Sequence, residues 1–220
     1  MRIFVLLVLL CTACDGFTDT GDGTQTLDVI AVAMYSLGSD RTDLRVEVGV
    51  RDGDANRAVV ELTDDESDDQ LRLEVSNSDE NTAVFRGSFA GYRRRLELDV
   101  RRDDDELSAK LEGPGRHQIE SPTNGEAVVF SDLSDDGLNV EWTVDDGLEA
   151  DRIRVELEDS DVDAVLLEDE GEFDFARATL ELGDETIEVE RINEIELSGG
   201  VPGSTFEIRY SIENNFVIVQ

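Results

Sequence analysis

One pattern constrains this chain more than any other: from residue 27 to the C-terminus, apolar and polar residues alternate one by one. Leu44, Val46, Val48 and Val50 alternate with Arg45, Glu47 and Gly49. Leu96, Leu98 and Val100 alternate with Glu97 and Asp99, and Ile153, Val155 and Leu157 with Arg154 and Glu156. Leu71, Leu73 and Val75, then Leu138, Val140 and Trp142, then Phe206, Ile208, Tyr210 and Ile212 repeat the theme. A period of two puts successive side chains on opposite faces of a strand. Strands with one apolar and one polar face belong to antiparallel sheets that are half buried and half wet. No segment beyond the first few residues has the 3.6-residue period of an amphipathic helix. The chain therefore reads as all-β.

Turn residues set the strand spacing. Strands are expected near 27–36, 43–51, 57–62, 70–76, 83–89, 94–101 and 106–112. A second series follows near 117–120, 126–131, 137–144, 152–158, 164–168, 173–181, 185–193 and 204–219, the last read as a hairpin through Glu213-Asn214-Asn215. Gly113-Pro114-Gly115 falls between the two series and marks the expected domain break. The reading is two tandem antiparallel β-sandwich domains, residues 26–113 and 114–220, joined by one linker with hinge freedom. One larger sandwich is the alternative. Seven or eight short strands per hundred residues suit an immunoglobulin-like sandwich.

The second half carries a closer resemblance. Ser121-Pro122-Thr123-Asn124-Gly125-Glu126, followed by Leu138-Asn139-Val140-Glu141-Trp142-Thr143, resembles the entry of bacterial immunoglobulin-like and fibronectin type III domains. In those families a Pro and a Gly shape the first strand and the next strand buries a Trp. Leu180 to Val189 resembles their turn into the penultimate strand, with Ile187 where the families often have Tyr. The resemblance implies a core Trp142 and a binding or structural role.

The N-terminus sets an address. Met1-Arg2 supplies a positive charge, Ile3 to Leu10 an uninterrupted apolar run, and Thr12-Ala13 small residues before Cys14. These are the parts of a secretory signal, residues 1–13, and the apolar run is too short to span a bilayer as a helix. Cys11-Thr12-Ala13-Cys14 resembles the lipobox of bacterial lipoproteins, with Cys11 where the family usually has Leu. That resemblance implies cleavage after Ala13 and lipidation of Cys14, a membrane anchor. A plain signal cut near Ala13, or an apolar start that packs, is the alternative. Several acyl chains hold a protein at a membrane where one holds it marginally. Both cysteines lie in this segment, so no disulfide is expected in the folded part. Asp15 resembles an inner-membrane retention signal of enterobacterial lipoproteins, and residues 14–25, rich in Gly, Thr and Asp, read as a flexible acidic tether. The expected location is the cell envelope, periplasmic or surface-exposed.

Net charge excludes one class of partner. The chain carries 54 acidic and 19 basic residues, −35 in all, and Lys110 is its only lysine. Nucleic-acid binding needs a basic footprint, which this chain lacks. Acidity spread along the chain with almost no lysine resembles proteins of salt-loving organisms, where a Debye length of a few ångström screens self-repulsion. A surface that collects cations or a basic partner is the alternative.

Candidate sites are few. Asp159, Asp161, Asp163 and Glu170 fall at positions 1, 3, 5 and 12 of a calcium-type loop, although Ala164 stands where the turn needs Gly. Asp52-Gly53-Asp54-Ala55-Asn56 is a weaker version and reads as a turn. Arg93, Arg94 and Arg95, with Arg101 and Arg102, form the one basic cluster, either an anion site or cross-strand partners for acidic residues. His117 is the only histidine, with no nucleophile beside it. No Gly-x-Ser-x-Gly, metalloprotease or phosphate-loop motif is present. The chain is thus expected to be a non-enzymatic, lipid-anchored envelope protein that binds surface proteins or glycans, without a cofactor. A calcium-dependent adhesive or carbohydrate-binding module is the first alternative, and a hydrolase with paired carboxylates the second.

Overall fold

Alternation becomes pleat in the computed structural model, which describes residues 17–135, 137–144, 148 and 150–220. Among the described residues seventeen strands follow one another. The first nine are β1 (Asp19–Gly23), β2 (Leu27–Ser36), β3 (Arg41–Val50), β4 (Val59–Asp64), β5 (Asp69–Arg72), β6 (Glu74–Ser78), β7 (Thr82–Ala90), β8 (Arg95–Arg102) and β9 (Asp105–Glu112). Then come β10 (His117–Ser121), β11 (Ala127–Val129), β12 (Leu138–Val144), β13 (Arg152–Leu157), β14 (Val162–Leu166), β15 (Glu172–Phe175), β16 (Gly183–Glu196) and β17 (Thr205–Val219). The described helices are single 3-10 turns, and none is long and apolar enough to cross a membrane.

One long sheet runs through both halves of the chain in the order β14-β13-β16-β17-β2-β3-β7-β6, with β11 beside the end of β17. Two smaller sheets complete the fold: β1-β9-β8-β4-β5, and β10-β12-β15. The first core takes Leu27, Val29, Val46 and Val48 from the long sheet and Val60, Leu96, Leu98 and Leu107 from the five-stranded sheet. The second takes Ile153, Val155, Ile187 and Val189 from the long sheet and Val140 and Trp142 from the three-stranded one. Each fully buried aliphatic side chain stabilises the fold by roughly 1.5–3 kcal/mol.

The β17 strand ties the cores together. Residues 204–219 were expected to turn at Glu213-Asn214-Asn215, but they run as one strand paired with β16 from Thr205 to Ile218. The asparagines that look like a turn are occupied elsewhere. Asn214 Nδ2 donates to Pro122 O at 3.1 Å, and the Asn215 amide donates to Asn124 Oδ1 at 3.0 Å. They fasten the 121–126 turn to the sheet. On its other edge β17 pairs in parallel with β2, from Thr205↔Ile30 to Ser211↔Ser36, and then with β11. Phe206 and Ile208 enter the first core, while Tyr210, Ile212, Phe216 and Ile218 enter the second.

Gly113-Pro114-Gly115 has linker composition yet is buried. A Cβ on Gly113 would stand 2.5 Å from Ile208 Cγ2 and 2.7 Å from the Tyr92 hydroxyl, so glycine is needed for close approach. The composition suggested a hinge there with a single crossing; the structure joins the halves through the shared sheet as well.

The segment read as a flexible tether also contains structure. Asp19–Gly23 forms β1, antiparallel to β9, with Asp19 opposite Lys110 and Gly23 opposite Leu107. Its glycines permit the contact. A Cβ on Gly21 would meet Ser108 O at 2.2 Å, and one on Gly23 would meet Glu106 O at 2.5 Å.

Candidate functional site

Arg93 and Arg94 lie just before β8, and Arg95 begins it. Cross-strand packing brings all three to carboxylates. Arg93 Nη1 reaches Asp64 Oδ2 at 2.6 Å and Nη2 reaches Asp69 at 3.2 Å, with the guanidinium over the Phe89 ring. Arg94 lies 3.3 Å from Glu66 and 3.5 Å from Glu112. Arg95 Nε donates to Glu112 Oε1 at 3.0 Å, a hydrogen bond that raises the guanidinium pKa further. An anion at this cluster competes with four carboxylates already in place.

Beside the cluster lies Phe17, on the outer face of the five-stranded sheet. Its ring sits 5.8 Å from the Arg95 guanidinium and 5.5 Å from Lys110 Nζ. Thr18 Oγ1 accepts from the Glu112 amide at 3.1 Å. Cys14 lies outside the described residues.

The calcium-like segment folds as a hairpin. β13 ends at Leu157, residues 158–161 turn, and β14 begins at Val162 with Leu157↔Val162 the last pair. The turn is fastened from below by Glu185, nearly buried, which accepts from the Asp159 amide at 2.8 Å and the Ser160 hydroxyl at 2.5 Å. Asp161 takes the positive φ of 52°. Asp163 stands on β14 opposite Glu156, and Glu170 is exposed beyond the strand. The structure therefore strings Asp159, Asp161, Asp163 and Glu170 along a hairpin instead of wrapping them around a point, because the apolar positions Val162, Ala164 and Leu166 impose extended backbone. No group of three or more Asp, Glu, His or Cys among the described residues is placed to hold a metal ion. Asp52 to Asn56 forms the expected turn, with Asp54 Oδ1 capping the Asn56 amide at 2.9 Å.

Two polar groups in the second core were not singled out for what they do. His117, 1 % exposed, contacts Val189 O through Nε2 at 3.0 Å, while Nδ1 has no hydrogen-bond partner among the described residues. Burial holds its pKa down at about 4, so the ring is neutral at neutral pH. It packs edge-on to Tyr210, which also meets Tyr35 and Tyr92, so the three tyrosines of the chain and its one histidine form a single cluster between the cores. Arg191, fully buried, forms an ion pair with Asp169 Oδ2 at 2.6 Å, without hydrogen-bond alignment. It donates to Gly115 O at 2.6 Å and to Leu148 O. Asp169 Oδ1 accepts from Trp142 Nε1 at 2.9 Å. Trp142 is 3 % exposed and so belongs to the core, as its place in the alternation implies.

A cleft of about 650 Å³ opens at one end of the first core, lined by Thr26, Asp28, Arg51, Asp52, Asn81 and Arg102 among others. Arg102 is fixed there, donating to Asp52 O at 2.8 Å and facing Asp105 at 3.5 Å. Arg102 shares the inward register of Leu98 and Val100 at the end of β8, and the 51–54 turn folds over it.

The outer face of the long sheet carries a network of charges. Arg152 bridges Glu194 at 2.6 Å and Glu207 at 3.2 Å, and Arg209 bridges Glu207 at 2.5 Å and Glu190 at 3.5 Å. Burial pushes the Glu190 carboxyl up against the pull of Arg209. One row has a single sign: Asp163 lies opposite Glu156, Glu156 opposite Glu188, and Glu188 opposite Glu213 across four adjacent strands.

No family model matches the chain, and no curated protein does. Among solved structures, the fibronectin type III domains FN1–FN3 of chicken CNTN1 are similar at 11 % identity and a TM-score of 0.31, covering 86 % of this chain and 65 % of that one. The assignment of an all-β sandwich architecture rests on the strands, sheets and two cores described above.

Proposed function

We propose that this chain is an exported, lipid-anchored protein of a bacterial cell envelope that acts by display and contact, without chemistry of its own. The observation that carries the reading is the placement of Cys14. It ends a segment with the parts of an export signal, and the first strand begins only five residues later, at Asp19. A lipid on Cys14 would therefore hold the sandwich body directly at a bilayer. The loose likeness to immunoglobulin-like and fibronectin type III domains supports a binding or structural role. The charged candidate groups engage one another: Arg93, Arg94 and Arg95 with carboxylates, and Arg191 with Asp169 and two carbonyls. The dense carboxylate surface fits a high-salt surrounding.

The test is the intact mass of the protein from membranes of its native host, with Cys14→Ser in parallel. Mass matching cleavage before Cys14 plus acyl chains, lost in the variant together with membrane partition, is the expected result. A mature, soluble, unacylated protein overturns it.

A further inference from the structure

We infer that the cleft at the end of the first core is a binding site for a neutral oligosaccharide, whose hydroxyls it holds through Asp28, Arg51, Asn81, Thr82 and Arg102. The inference gives the proposed contact role a ligand; it rests on that role and not on the anchor.

A missing side chain makes the cleft. Asp28 on β2, Gly49 on β3 and Thr82 on β7 stand in one row across three adjacent strands. A Cβ on Gly49 would meet Asp28 Cβ at 3.2 Å and Oδ2 at 3.6 Å, so the glycine leaves a notch overhung by the Asp28 carboxylate. The Gly49 backbone lies outside the left-handed region, so conformation does not call for a glycine there. A glycine inside a strand weakens the sheet and often marks close approach of a ligand.

Part of the wall is fixed in advance. The Arg102 side chain, 11 % exposed, donates to Asp52 O at 2.8 Å and faces Asp105 at 3.5 Å. Thr26 Oγ1 donates to Asp105 Oδ1 at 2.7 Å. Groups held before a ligand arrives lose little freedom on binding. The rest of the wall is open for contact. Asp28, Asn81 and Thr82 make no side-chain hydrogen bond to any described residue, and Arg51 pairs with no described carboxylate.

The mixture of groups selects the ligand. Asp28, Asp52 and Asp105 repel an anion, while Arg51 and Arg102 repel a cation. A hydroxyl donates and accepts at once, so a polyol can donate to the carboxylates and accept from the guanidinium and amide groups. Val50 and Val201 give the C–H face of a sugar an apolar surface. The volume, about 650 Å³, falls within the roughly 300–1,000 Å³ of ligand sites and admits a short oligosaccharide. Hydrogen bonds to an uncharged ligand are not screened by salt, so the contact persists in the high-salt surrounding proposed for the protein.

The test uses the full chain carrying Cys14→Ser, in a detergent without a sugar headgroup. It is titrated with cellotriose, maltotriose, xylotriose, mannotriose and triacetylchitotriose, read by saturation-transfer NMR. At least one should bind with a Kd of about 1 mM or tighter. The affinity should hold from about 0.1 M to about 1 M salt. Gly49→Thr fills the notch with a residue that strands favour, and should weaken binding about tenfold or more while the melting temperature is kept. Asp28→Ala and Asn81→Ala, at exposed positions, should each weaken it several-fold without touching the core. Binding by none of these sugars, affinity that falls with salt, displacement by inorganic phosphate or free glycine, or binding that survives both Gly49→Thr and Asp28→Ala would each overturn the inference. The variant carries no acyl site at residue 14, so this outcome is separate from the anchor, which the intact mass decides.

Discussion

Tyr92 and Tyr210 meet edge to face with ring centroids 4.8 Å apart, and the contact joins two strand systems far apart in sequence. Tyr92 follows β7 of the first half, whereas Tyr210 stands midway along the last strand. Tyr92 packs against both cores, and its hydroxyl donates to Pro114 O at 2.6 Å within the buried connection between the halves. Aromatic pairs in this geometry add about 0.5–1.5 kcal/mol beyond burial.

Tyr92→Ala should cost about 3 kcal/mol, the scale of an aromatic truncation in a core, and split a single unfolding transition into two in scanning calorimetry. Tyr92→Phe, which loses only the bond to Pro114, should cost about 1 kcal/mol and leave one transition.

His117 sets an acid limit. Its folded pKa of about 4 lies below the ordinary 6.5, so in that window the unfolded chain binds a proton that the folded chain refuses. The stability contribution is complete above 6.5 and is lost as the pH falls toward 4, by on the order of 3 kcal/mol. Arg191 and Asp169 act on the ring from the same core with opposite signs, both weaker than burial. Denaturant midpoints for wild type and His117→Gln should converge as pH drops from 7 to 4. Parallel curves would contradict a neutral buried ring.

Asp169→Ala should be among the most destabilising single changes, about 3–5 kcal/mol by urea unfolding, because it strands the buried Arg191 guanidinium. Removing both charges as Asp169→Leu with Arg191→Met should cost less than Asp169→Ala alone. The comparison separates the expense of an orphaned charge from the worth of the pair.

The row Asp163–Glu156–Glu188–Glu213 places like charges directly opposite one another, an arrangement that costs a few tenths of a kcal/mol to about 1 kcal/mol per pair. Glu213→Lys at the exposed end should raise the melting temperature at low ionic strength. The gain should fade in molar salt, where the Debye length shrinks to about 3 Å.

Much of this fold is legible in the sequence because burial on one face leaves a parity behind. Leu96, Leu98 and Val100 face inward as their alternation requires. The same parity contains signals that are easily passed over. Arg191 shares the register of Ile187 and Val189, and His117 that of Ile119, so an inward charge and an inward imidazole are readable from spacing alone. Pairing is not readable in this way. Nothing in the alternation of β17 says that its neighbour is β2, some 175 residues earlier, because edges are chosen by backbone hydrogen bonds and leave no side-chain code. β1 escapes for the opposite reason: its glycines permit contact with β9 and erase the pattern that would reveal a strand. The hairpin at 158–161 imitates a calcium loop because turns and ion sites both favour Asp, and only Glu185, distant in sequence, shows which one is built.

The parallel seam between β2 and β17 has a consequence for the order of events during biogenesis. The first core borrows Phe206 and Ile208 from β17, so its sheet stays incomplete until that strand has been synthesised. Such long-range closure is slow, since the entropy of a very large loop must be overcome before any contact rewards it. Were the chain exported as proposed, the segments ahead of β17 would stay pliable during passage and close into their sheet only once that strand arrived.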